Sequence, residues 1–134
     1  MSTMASYLYG TIMPALGCTD ITGLRSRLGA MLQEVADYMG LPVKPLPAIN
    51  FYESEKLYAY YSFWPPPATP FIFIGGFRDA PDLWDGIYHE MSHHMMVGTT
   101  LDDGSGTFLK MRGSGEAYAS LVAETLCKRR RQDK

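Results

Sequence analysis

Residues 85–96 read "DGIYHEMSHHMM" and hold all three histidines of the chain, His89, His93 and His94. His89 and His93 stand four apart with Glu90 between them, the pattern His-Glu-x-x-His. On an α-helix, positions i and i+4 lie about 40° apart around the axis, so both imidazoles leave one face and can grip one ion. Glu90 lies about 100° round from His89, at the flank of that face, where it reaches a water on the ion more easily than the ion itself. These are the parts of a metal-assisted hydrolase: an ion with an open position, and a carboxylate that takes a proton from water held there. With three histidines and six glutamates in 134 residues, this pattern arises by chance with a probability on the order of 0.3%, so composition is a poor explanation of it. His94 points about 140° away from His89 and reads as a core or supporting histidine.

No histidine follows His94, so a carboxylate or thiolate of this chain must complete the ligand set. The candidates are Asp102, Asp103, Glu116, Glu124, Asp133 and Cys127. Glu116 stands out, because it falls in the first turn of a predicted helix that can present one carboxylate rigidly. Asp102 and Asp103 lie in a glycine-rich loop without that constraint. Ala117, Ala119 and Ser120 are small enough to let the helix of Glu116 approach the histidine helix closely. Glu124 reads as an exposed residue pairing with Lys128 at i+4.

The elements that must position these groups are legible in outline. After an irregular or partly helical lead-in over residues 1–20, Leu24, Leu28, Met31, Leu32, Val35 and Met39 recur at helical spacing, with Gly40 as the stop and Pro42 beyond it. "PAINFY" (47–52) and "LYAYYSFW" (57–64) alternate as strands, with "ESEK" between them as a hairpin turn. "PPPATP" (65–70) is a rigid loop, and "FIFIGG" (71–76) suits a strand buried on both faces. The histidine helix follows, with Pro81 and Asp82 in its first turn and Gly98 as its stop. After a polar connection (99–115) comes "EAYASLVAETLCKRRR", a helix with Ser114 as N-cap and Leu121, Val122 and Leu126 on its apolar face. The expected architecture is α+β in a single domain, a small mixed sheet packed on one side by helices.

The pattern "YHEMSHH … GEAYASLVAETL" resembles the gluzincin metallopeptidases, in which His-Glu-x-x-His on one helix is completed by a glutamate from a following helix. It is most similar to the small gluzincins and the ImmA/IrrE-type peptidases, over residues 57–127. The resemblance implies a zincin-like fold, a Zn²⁺ ion held by His89, His93 and Glu116, and Glu90 as the acid/base that moves a proton from water to the leaving amine. It also implies that "YAYYSFWPPPATPFIFIGG" supplies an edge strand above the cleft and a buried strand running into the active-site helix. A peptide or protein substrate would then lie extended along the edge strand, with Tyr58, Tyr60, Tyr61, Phe63 and Trp64 as subsites. The family's later oxyanion-stabilising histidine is absent here, which leaves Tyr118, Tyr88 or Arg112 as the replacement. Ser120 stands where larger gluzincins carry an aspartate. The alternative is a zincin-fold regulatory or interaction module that is inactive or acts on one protein partner.

Composition bounds the rest. At 46% hydrophobic and 19% charged residues with a net charge of -2, the chain has an ordinary globular make-up, and wholesale disorder is excluded. Lys128, Arg129, Arg130 and Arg131 crowd the C-terminus as a basic tail (128–134), but nothing extends them into a nucleic-acid surface. The uncharged run from Ser2 to Thr19 is broken by Gly10, Pro14 and Gly17, so neither a secretory signal nor a membrane span is expected. Cys18 and Cys127 show no disulfide framework, which fits a reducing, cytoplasmic compartment. Cys18, in "PALGCTD", also invites a cysteine switch, a thiol swinging onto the metal to keep the site latent; an ordinary buried thiol is the simpler reading.

Overall fold

A computed structural model describes residues 4–53, 59–62, 71–97 and 114–132. Three short helical pieces open the chain without a break: α1 (Met4–Tyr7), a π-helical turn (Leu8–Ile12) and α2 (Met13–Leu16). Of the two readings open for the lead-in, irregular or partly helical, the helical one holds over Met4–Leu16, and Tyr7, Ile12, Met13 and Leu16 are buried in the core. The period was hidden because the π turn shifts the apolar stripe out of 3.6-residue register.

Helix α3 (Ile21–Met39) starts where Asp20, in extended backbone, accepts a 2.7 Å hydrogen bond from the Gly23 N–H. It ends at Gly40, whose φ of 70° is the left-handed conformation a Cβ disfavours. There the Leu41 N–H donates to Ala36 and the Gly40 N–H to Asp37, satisfying two of the helix's last carbonyls. The predicted stripe is the observed one: Leu24, Leu28, Met31, Leu32 and Val35 are buried. Each contributes about 1.5–3 kcal/mol by leaving water.

Strands β1 (Ala48–Phe51), β2 (Ala59–Ser62) and β3 (Phe71–Ile74) form one mixed sheet in the order β1-β3-β2. β1 runs parallel to β3, pairing Ala48 with Phe71, and β2 runs antiparallel to it, pairing Ala59 with Ile74. The expected β1–β2 hairpin does not form. Alternation within a segment sets which face is apolar but not which neighbour it pairs with, and the more apolar "FIFI" takes the centre. β3 itself alternates, with Ile72 and Ile74 buried and Phe71 and Phe73 half-buried, so it is less enclosed than a strand buried on both faces. Residues 54–56 of the predicted "ESEK" turn and the "PPPATP" loop fall outside the described residues, as does the predicted connection 99–115 up to residue 113, where α5 begins two residues earlier than expected.

Helix α4 (Ala80–Met96) is the centre of the molecule, packed against α3, α5, α2, β2 and β3. Asp79 caps its start by accepting from the Asp82 N–H at 2.9 Å, and Pro81 occupies the first turn. Its end is held from outside: Lys44 Nζ donates to the carbonyls of His94 (2.8 Å) and Val97 (2.7 Å). A cation on these last carbonyls meets both their lost hydrogen bonds and the negative end of the helix dipole. Gly98, the expected stop, lies outside the described residues.

Helix α5 (Ser114–Gln132) lies along α4 and buries Ala119, Val122, Ala123, Leu126 and Cys127. Leu121, expected on that face, is exposed, because it stands about 200° round from Ala119. As the run "EAYASLVAETLCKRRR" predicts, the helix continues through the basic cluster, reaching Gln132, and Arg129 and Arg130 stack on Tyr38 and Trp84. No helix among the described residues is long and apolar enough to cross a membrane.

Two glycines test this account of α3 with opposite signs. Gly40→Ala forces a Cβ into φ 70° where no neighbouring atom lies close enough to pack against it, and is expected to lower unfolding stability by about 1–2 kcal/mol. Gly29→Ala, mid-helix with open space at its Cβ, is expected to raise it by about 0.5–1 kcal/mol. Urea unfolding of both variants checks the pair.

Candidate metal centre

Side chains converge where the middle of α4 meets the start of α5. The Nε2 atoms of His89 and His93 are 3.2 Å apart. Glu116 faces both, with Oε1 2.9 Å from His89 Nε2 and Oε2 3.0 Å from His93 Nε2. Three groups from two helices thus bring their lone pairs into one triangle, a set able to hold a metal ion. His93 is buried, His89 nearly so, and Glu116 is partly open to solvent, so the centre has a wet side.

The triangle can be tested against a coordination shell. Donors about 2.0–2.1 Å from a tetrahedral ion stand roughly 3.3 Å from one another. The observed edges of 2.9, 3.0 and 3.2 Å fall a few tenths of an ångström short, so small rotations of the rings and the carboxylate open the set to that size. Without an ion, two imidazole nitrogens must share one carboxylate while facing each other across 3.2 Å. A cation satisfies all three groups at once.

The local sequence explains how each donor is delivered. His89 and His93 come from consecutive turns of α4, and their rings meet edge to face at a centroid distance of 4.9 Å. Tyr88, one residue before His89, is buried on the other side and donates from its hydroxyl to Glu34 of α3 at 3.0 Å. Burial, and then the Glu34 carboxylate beside it, push that hydroxyl's pKa well above the usual tyrosine value, so Tyr88 stays a proton donor and anchors α4 to α3. The buried Ser92 hydroxyl donates back to the Tyr88 carbonyl at 2.8 Å and needs no other partner. Glu116 arrives because Ala119 and Ala123 are the residues α5 buries next to it, which keeps the α4–α5 approach close.

The other expected site residues have distinct places. Glu90 is buried on α4 beside His89 and is not one of the three converging groups. His94 is buried away from the triangle, with Nε2 3.0 Å from the Pro45 carbonyl, so that nitrogen carries the proton. Desolvation, with Lys44 nearby adding to it, lowers the pKa of His94 although the Pro45 bond works the other way. Tyr118 is half-buried against the core, about 200° round α5 from Glu116. Tyr60 and Tyr61 lie in β2, opposite Phe73 and Ile72. Tyr58, Phe63, Trp64, Arg112, Asp102, Asp103 and Asp133 fall outside the described residues. Glu124 pairs with Lys128 at 3.3 Å on the surface. The Cys18 thiol sits 3.6 Å from the carbonyls of Leu16 and Gly23, at the junction of α2 and α3.

Lys44 and Pro45, which hold the end of α4 and its last histidine, were not legible as contributors. A lone lysine in "PVKPLP" carries no periodic signal, and its partners are 50 or more residues away. The chain matches no protein-family model, and no curated protein and no solved structure matches it. The chemistry of the centre therefore rests on its own geometry.

The folded chain is expected to bind one divalent transition-metal ion per molecule in equilibrium dialysis. His93→Ala and Glu116→Ala should each weaken that affinity by at least about tenfold. Saturating metal should raise the melting temperature of the parent chain and leave that of His93→Ala unmoved, since an ion that binds only the folded state stabilises it.

Proposed function

We propose that the chain is a zinc-dependent metallopeptidase of gluzincin type. The observation that carries this reading is the convergence of His89, His93 and Glu116, because it joins the His-Glu-x-x-His helix to a glutamate from the following helix. Two imidazoles and one carboxylate favour Zn²⁺ over Mg²⁺ or Ca²⁺, which take oxygen donors. Zinc held by these groups would supply a Lewis acid and a water acidified towards a pKa of about 7.

The remaining work falls to the chain. Glu90 is next to His89 on the same helix and buried, and a carboxylate held out of bulk water keeps its proton traffic within the site. In this reading it takes a proton from the attacking water and returns it to the nitrogen of the leaving amine. Placement on α4 fixes it relative to both imidazoles, and the alignment of reacting groups lowers the entropic part of the barrier. Glu116 has one more function besides holding the ion: its partly exposed carboxylate marks the side from which substrate arrives.

The sheet supports a peptide substrate. Among the described strands β2 is an outer one, paired with β3 on a single side, and it packs against α4. Its outer backbone edge offers alternating donors and acceptors to an extended chain, main chain to main chain. Recognition of that kind tolerates many side chains and places a peptide bond along a fixed line.

Glu90→Gln separates catalysis from metal binding. The variant should take up zinc as the parent does, yet hydrolyse a peptide library at least about 100-fold more slowly. Undiminished cleavage by a zinc-loaded Glu90→Gln protein would remove the mechanism. No cleavage by either protein, with zinc bound, would favour a non-catalytic binding module.

A further inference from the structure

At the other end of the α4–α5 pair, four helical turns or about 20 Å along α5 from Glu116, lies a cavity of about 370 Å³. Its lining includes Leu16, Arg27, Pro81, Trp84, Cys127 and Arg130, drawn from α2, α3, α4 and α5. The metal centre shares none of these residues.

The electrostatics of this cavity are one-sided. The Arg130 guanidinium lies 3.3 Å from the centroid of the Trp84 ring, and that of Arg27 lies 5.5 Å from the same centroid. Two cations thus share one indole. Among the described residues neither pairs with a carboxylate, and no acidic residue lines the cavity. The nearby acids are engaged elsewhere: Asp79 caps α4, and Asp82 takes the Arg78 N–H and guanidinium. Two carbonyls of the lining are also engaged, Ala15 by Trp84 Nε1 and Leu16 by Arg27 Nε, each at 3.0 Å. Arg27 spends only its Nε–H there, so the terminal N–H groups of both guanidiniums remain as donors. Cation–π contact is a common way to seat an arginine, but here two guanidiniums lie against one indole and no carboxylate among the described residues offsets their charge. An oxyanion beside them offsets that charge and takes charge-assisted hydrogen bonds from both.

We propose that this cavity binds a small organic oxyanion, a carboxylate or phosphate monoester on an aromatic or aliphatic body, with the charged group at Arg27 and Arg130 and the apolar body against Pro14, Ala15 and Pro81 beside the edge of Trp84. The volume suits a molecule the size of a phenyl phosphate and is far more than a bare phosphate fills. This site is independent of the peptidase reading and stands or falls without it.

The test is a titration of the full chain followed by the indole N–H resonances of its two tryptophans, with Trp84 identified through a Trp84→Phe variant. The probes are phenyl phosphate, benzoate, inorganic phosphate and benzyl alcohol. Phenyl phosphate or benzoate should move the Trp84 signal saturably, and whichever binds more tightly identifies the preferred oxyanion. Inorganic phosphate should bind at least tenfold more weakly, and benzyl alcohol should not saturate. Arg130→Gln, which breaks no hydrogen bond among the described residues, should raise the dissociation constant at least tenfold while the rest of the spectrum stays in place. Shifts confined to the imidazoles of His89 and His93 would mean binding at the metal centre and would overturn the proposal. So would an unsaturable response to both organic anions, an equal response to benzyl alcohol, or unchanged affinity in Arg130→Gln.

Discussion

The close approach of α5 to α4 is the constraint on which the rest depends. Two imidazoles on one turn of helix are not by themselves a metal site, and neither is a carboxylate in a first turn. They form a cluster able to hold an ion because small residues, Ala119 and Ala123, let the two axes come near enough for Glu116 to reach both rings. A bulkier side chain at either alanine would separate the donors before it disturbed anything else. The packing that buries the apolar face of α5 also carries its one essential oxygen pair to the site.

That contact in turn needs α4 to be held still. The helix is buried nearly all round from Met91 to Met96, so its position is set by neighbours on every side. Tyr88 ties it to α3 through Glu34, and Lys44 closes its last carbonyls. Buried polar groups make such an arrangement costly to deform, because each would lose a partner where water cannot replace it. The two histidines therefore meet Glu116 close to the spacing an ion requires, so only small rotations separate the cluster from a coordination shell. The second, arginine-lined cavity uses the same two helices at their opposite ends, and both sites inherit their rigidity from one packed seam.

How much of this could be read from the sequence follows from the range of each signal. His89, Glu90 and His93 declare themselves within five residues, because helical geometry alone puts the imidazoles together. Glu116 needed a further argument, that a helix presents one carboxylate rigidly, together with the resemblance to gluzincins. The apolar stripe of α3 and its stop at Gly40 were legible because they are local. The sheet order was not: alternation in "PAINFY" and "LYAYYSFW" says nothing of which strand lies between them, and the structure puts β3 there. Leu121 was misplaced because an apolar residue type was weighed above its angular position. The lead-in could not be resolved between irregular and helical because its π turn breaks the period, and Lys44 was missed because its partners lie on a distant element.

X-ray absorption at the metal K edge of the zinc-loaded chain tests the central claim most directly. It should show a low-coordinate shell of mixed nitrogen and oxygen at about 2.0–2.1 Å, with the outer scattering of two imidazoles. An all-oxygen six-coordinate shell without imidazole scattering, or a shell containing sulfur at about 2.3 Å, would contradict it.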